Sequence, residues 1–187
     1  MPPKIKVTKE EIVATAVDLI RTNGAQAINA RAIATSLNCS TQPIFSNFST
    51  MSELQQAATA AAYEIYLNFL KNEAANGKYP PYKSFGMAYI RFAQEEKELF
   101  KFLFMCDRNG KERTPAPDYM ASVDIIMNTN GITREKAELM HLEMWTCVHG
   151  IGTMLATSFL SFDWELISTI LTDIYQGIQA KHLSGER

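Results

Sequence analysis

An all-α fold of about nine helices is predicted from three features of the sequence. Apolar residues recur at helical spacing, helix-opening signatures precede the periodic segments, and no stretch alternates apolar and polar residues as a half-buried strand does. Thr8-Lys9-Glu10-Glu11 is a capping box, in which the Thr8 hydroxyl accepts from the Glu11 amide and the Glu11 carboxylate reaches back. Ile12, Val13, Ala16, Val17, Leu19 and Ile20 then mark one helical face, and Asn23-Gly24 ends it. Asn29 is placed to cap a short second helix over Arg31, Ile33, Ala34 and Leu37. Asn38-Cys39 makes a tight turn, and Ser40 is expected to cap a third helix running to Asn47. Pro43 falls in its first turn, where a missing N–H is harmless.

Further along, Thr50-Met51-Ser52-Glu53 is a second capping box and opens a long helix to about Asn76. The clearest break follows, at Asn76-Gly77-Lys78-Tyr79-Pro80-Pro81. Helices are predicted over 82–95 and 97–106, then a polar loop over 107–117 and a helix over 118–128. Thr133 caps the next long helix, which ends near Ser158, and Asp163 or Ser161 caps the last.

Composition excludes several classes. The 187 residues are 47% hydrophobic, enough to bury a core. The most apolar stretch, 144–160, is interrupted by His149, Gly150, Gly152, Thr153, Thr157 and Ser158, which speaks against a membrane span and a membrane partner. Residues 1–6 lack the apolar core of a secretory signal, and Cys39, Cys106 and Cys147 follow no pairing motif; free thiols in the cytoplasm are the expectation. The first fifty residues carry five cations against three anions, so a head of charge +2 sits on a body of −4. That balance permits contact with nucleic acid without demanding it.

The second and third helices are too short to fold alone. Ile12, Ala16, Val17 and Ile20 of the first helix offer a floor, matched by Ile33, Leu37, Ile44, Phe45 and Phe48. Ser40, Thr41, Gln42 and Pro43 are then left facing outward at the start of the third helix. Small polar side chains there suit a recognition helix in a major groove, and equally an ordinary three-helix core with a polar turn.

The string Thr8…Ile12…Ala16…Leu19…Gly24…Arg31-Ala32-Ile33-Ala34…Leu37-Asn38-Cys39-Ser40…Ile44-Phe45-Ser46-Asn47-Phe48…Glu53-Leu54 resembles the DNA-binding region of the TetR family of transcription regulators over about 47 residues. The resemblance implies a helix-turn-helix domain over residues 1–54 and a ligand-binding and dimerising domain over 55–187. It implies base contacts from Arg31, Thr41 and Gln42, and phosphate contacts from Asn29, Ser40, Asn47 and Thr50, with Pro43 and Phe45 on the same surface. Lys4 and Lys6 would add an N-terminal basic arm. Phe45 stands where the family has Tyr, Asn47 where it has His, and Met51 where it has Lys. Each lost phosphate contact flattens the salt dependence of binding by about one unit of slope. Asn38-Cys39 replaces the family's Gly-Val in the turn, and Asn tolerates the left-handed conformation.

In the body, aromatics and methionines are dense over 87–105. They either fill a core or line a cavity for a largely apolar small-molecule effector. Trp145…His149-Gly150 resembles the Trp-His-Gly signature of one TetR subfamily. Within the resemblance, the effector candidates are Met87, Arg91, Phe104, Met105, Met120, His141, Trp145 and His149. For His141 and His149 a satisfied core histidine is the competing reading. The near-continuous apolarity of 144–160, with Leu155 and Phe159, and the second stripe of the last helix, Leu166 and Ile170, imply a four-helix homodimer interface about a two-fold axis. Gly150 and Gly152 would allow close approach there. The two-fold also implies a palindromic or nearly palindromic double-stranded operator.

An enzyme is not expected. Glu138-Leu139-Met140-His141 fits one Glu-x-x-His element of a di-iron bundle, but the residues three before His149 and His182 are Thr146 and Gln179, so no second element follows. No catalytic residue, cofactor or metal is assigned. The alternative to a repressor is a helical ligand-binding or adaptor protein whose DNA binding is weakened or lost.

Overall fold

The computed structural model describes residues 7–106 and 117–184. Among them the protein is all-α, without strands: α1 (Lys9–Asn23), α2 (Ala30–Ser36), α3 (Gln42–Asn47), α4 (Met51–Ala75), α5 (Pro81–Glu95), α6 (Lys97–Phe104), α7 (Pro117–Asn130), α8 (Arg134–Ala156) and α9 (Trp164–Ser184), with a 3₁₀ turn at Ala25–Ala27. The polar loop expected over 107–117 falls outside the described residues as far as 116, and Pro117 opens α7.

The chain divides into two compact units. The first comprises residues up to Leu67 together with Glu96–Cys106; the second comprises Asn68–Glu95 and Asp107 onward. The first unit thus takes in α4 as far as Leu67 and all of α6, well beyond residue 54.

In the first unit, α1 carries the core. Ile12, Ala16, Val17 and Ile20 are buried and α2, α3 and α6 pack on it. Thr8 closes the capping box at both ends, accepting from the Glu11 amide at 3.1 Å and donating its own amide to Glu11 at 2.8 Å. Gly24 ends α1 at φ 82°, which an L side chain rarely adopts. Arg21 near the end of α1 pairs with Glu96 at 2.8 Å, just before α6, and that bond raises the affinity of the guanidinium for its proton. Along α4, Leu54, Ala58, Ala62 and Tyr66 are buried at four-residue spacing, the signature of one helix face.

In the second unit α5 lies among α7, α8 and α9. Tyr82 meets His141 and Tyr89 meets His149, so α5 and α8 run in the same direction. Tyr82 also meets Tyr175, and Arg91 lies over Trp164, so α9 runs opposite to α5. At Gly86 an added Cβ would stand 3.4 Å from both Val148 and Leu171; the missing side chain lets α5 approach α8 and α9 closely. Val123, Ile126, Ile132, Ala137 and Met140 form a buried cluster between α7 and α8, sealed by Tyr82, Tyr119, Met127, Tyr175 and Ile178. Thr133 and Asp163 cap α8 and α9, Asp163 accepting from the Leu166 amide at 2.7 Å.

Candidate nucleic-acid interface and effector residues

The surface over α2 and α3 is built by local bonds. Asn29 Oδ1 accepts from the Ala32 amide at 2.9 Å and starts α2. Asn38 takes φ 49°, so the turn is left-handed at the residue expected to tolerate it. The third helix begins later than the sequence suggests. Its N-cap is Thr41, in helical conformation and without a side-chain cap bond, and Ser40 lies before it. Pro43 preorganises the first turn, which explains how α3 forms without a capping side chain.

Burial sorts the residues of this surface. Ile33, Ile44 and Phe48 are buried and close the core, as expected. Phe45 is not part of that core: it is 52% exposed, because Ile44 and Phe48, four apart, take the inward face of α3 and Phe45 falls beside it. Ser40, Gln42 and Ser46 are exposed, and Thr41 and Pro43 are half-buried. Arg31 is exposed and makes no ion pair among the described residues. It therefore has a charge to offer.

Other polar candidates are partly spent. The Asn47 amide donates to the Pro43 carbonyl at 2.8 Å and, more weakly, to the Val7 carbonyl at 3.5 Å. The Asn29 amide donates to the Ala27 carbonyl at 3.3 Å. Thr50 accepts from the Glu53 amide at 3.1 Å, which leaves its hydroxyl proton; the Glu53 carboxylate reaches the Ser49 amide rather than Thr50, so the second box is displaced by one residue. That bond is the first cause holding the Glu53 carboxyl below its usual range. Lys9 pairs with Glu53 at 3.5 Å and lies 4.7 Å over the Phe48 ring. Lys4 and Lys6 lie outside the described residues.

The effector candidates fall into separate groups. Phe104 and Met105 belong to the first unit, where Phe104 packs edge-on against Tyr66 at 5.2 Å and Met105 is exposed. In the second unit Met87 is fully buried core, and Met120 is 40% exposed. Arg91 is engaged by the buried Glu73 at 3.0 Å and by the Trp164 ring at 4.4 Å. His141 Nδ1 meets the Tyr82 hydroxyl at 3.0 Å, with Tyr119 edge-on at 5.0 Å. His149 Nδ1 meets the Tyr89 hydroxyl at 2.8 Å, and Trp145 stacks on its ring at 4.8 Å. Each histidine thus has a phenol as hydrogen-bond partner, the arrangement of a satisfied core histidine. Burial pushes the Tyr82 phenol up, keeping it protonated through the neutral range.

Of the residues expected at a dimer interface, Leu155 is already buried by its own chain, Ile170 is half-buried, and Phe159 and Leu166 are 75% and 45% exposed. Leu142 on α8, not singled out from the sequence, is 56% exposed. Gly150 has nothing within 4 Å of an added Cβ, so no close approach occurs there within the chain.

No protein-family model matches the chain. A search of curated proteins finds no match either. Among the described residues no three His, Cys, Asp or Glu gather to hold a metal ion, and no helix is long and apolar enough to cross a membrane. The sequence reading missed the phenol partners of the histidines. Their only sequence trace is the seven-residue spacing of Tyr82 and Tyr89 beside the eight of His141 and His149.

Proposed function

We propose that this protein is a cytoplasmic, DNA-binding transcription regulator of the TetR type, a homodimeric repressor released from its operator by a small, largely apolar effector. One observation carries the reading. A short helix, a left-handed turn at Asn38 and a second short helix sit on the buried face of α1, with Arg31, Ser40, Gln42 and Ser46 exposed around the turn. Such a pair presents its second helix to a major groove, where the Arg31 guanidinium and the Gln42 amide have the fork geometries that read guanine and adenine. Exposed Leu142, Phe159 and Leu166, with open space over Gly150, support a second copy packing on α8 and α9.

Three features favour the second reading, a helical ligand-binding or adaptor protein with weakened DNA affinity. Phe45 is exposed without a hydroxyl, the Asn47 amide is spent on backbone carbonyls, and Met51 carries no charge. Selection from a randomised duplex library in dilute buffer separates the two. A regulator enriches a near-palindrome with half-sites ~34–36 Å apart, and the Thr41→Ala/Gln42→Ala double variant loses that enrichment while remaining a dimer. Absence of any enrichment from the unaltered protein would leave the second reading.

A further inference from the structure

Lys83 on α5 has an uncommon set of neighbours. Its Nζ donates to the Ser168 hydroxyl at 2.7 Å and to the Thr172 hydroxyl at 2.7 Å, two residues one turn apart on α9. Neither carries a charge. No carboxylate lies within ion-pair distance of Lys83 among the described residues. Burial without a counter-charge pulls the amine below its usual range. The ammonium also lies 5.2 Å from the centre of the Tyr79 ring, and the Lys78 ammonium lies 5.2 Å from the same ring. Both ammoniums therefore lie within cation–π range of one ring, and neither has a carboxylate partner among the described residues.

Hydrogen-bond accounting points the same way. A lysine ammonium has three protons, and two are spent on hydroxyl oxygens. The Thr172 hydroxyl gives its proton to the Ser168 carbonyl at 2.9 Å. The Ser168 hydroxyl accepts from Lys83, and its own proton has no acceptor among the described residues. One N–H and one O–H are left beside surplus positive charge. That set is complementary to an oxyanion, which accepts from both and neutralises the ammonium.

We propose that Lys83, Ser168 and Thr172 form a binding site for a small oxyanion, the carboxylate or phosphate group of a ligand. The site does not depend on the DNA-binding reading, since all of its residues lie in the second unit and none is a DNA or effector candidate. It is separate from the Tyr82–His141 and Tyr89–His149 pairs, which share no residue with it.

The test follows the lysine signals of the whole protein, labelled with carbon-13 lysine, during titration with sodium phosphate and, separately, sodium acetate. Sodium chloride at the same pH and ionic strength is the reference, and Lys83→Arg assigns the Lys83 signal. The expected result is a saturable shift of that signal in one or both oxyanions and none in chloride. Saturation by phosphate alone assigns a phosphate group, and by acetate alone a carboxylate; either supports the site. Ser168→Ala leaves the fold intact and weakens binding about tenfold, the effect of losing one hydrogen bond to a charged group. A non-saturating shift matched by chloride, or equal affinity in Ser168→Ala, overturns the proposal.

Discussion

In the first unit Thr8 bonds Glu11, Asn29 bonds Ala32 and Thr50 bonds Glu53, each across three residues of sequence. In the second unit Lys181 reaches Glu143 across 38 residues, Asn130 reaches Tyr175 across 45, and Lys83 reaches Thr172 across 89. The first pattern is a local code: a side chain ends or starts a helix by satisfying a nearby backbone group, and neighbouring residues suffice to specify it. The second pattern exists only after helices distant in sequence have packed. The first unit has long-range bonds too: Lys9–Glu53, Asn47–Val7, and Arg21–Glu96, which ties the start of α6 to α1. The lesson is that local caps, present in both units, answer to substitution through backbone conformation, and the long-range bonds answer through packing.

The largest effect that sharpens this contrast is at the aromatic cores. Phe48 in the first unit and Phe92 in the second are fully buried, and replacing either by Ala costs about 3–5 kcal/mol. Hydrogen exchange reads where the loss falls. Phe48→Ala is expected to speed exchange in α1 and α2 with α8 little changed, and Phe92→Ala the reverse. A uniform rise in both variants would break the contrast. The next effect is at the turn. Asn38 holds φ 49°, so Asn38→Val costs about 1–2 kcal/mol through left-handed strain while Asn38→Gly is tolerated. Urea unfolding checks both, and equal stability of the two variants would show that the turn does not depend on this residue.

The smallest effect lies on the clasp between α8 and α9. Hydrogen bonds from Lys181 and then His182, at 3.0 and 2.9 Å, hold the Glu143 carboxyl below its usual value of 4.5. A carboxyl depressed in the folded state contributes stability above its unfolded value, and that contribution is lost as pH falls through the lower, folded one. Because the pair is partly solvated, the effect is below about 1 kcal/mol. Melting of Glu143→Gln should therefore fall less steeply than that of the unaltered protein below pH 4.5. Parallel curves would remove the clasp as a contributor.

Much of the helical order was legible in the sequence because caps and periodicity act over a few residues. The capping box at Thr8, the Asn29 cap, the left-handed Asn38 and the Thr133 cap are all where their neighbours place them. Where the local signal is weak, the structure departs from it. Ser40 reads as the cap of α3, yet the helix begins after Thr41, with Pro43 in its first turn and Ile44 turned inward. Phe45 reads as core by its hydrophobicity, yet the register of a six-residue helix turns it outward. Leu155 reads as an interface residue because its segment is apolar on all sides, and its own chain covers it.

The sequence alone determined the all-α class, most helix starts and the inward face of α1, since these follow from backbone hydrogen-bond needs and a 3.6-residue period. Tertiary structure alone decided that Lys83 meets two hydroxyls of α9, that His141 and His149 each meet a phenol of α5, and that α6 joins the first unit. Those pairings bring together residues 59 to 89 apart, and nothing in the residues flanking either partner encodes the distance between them.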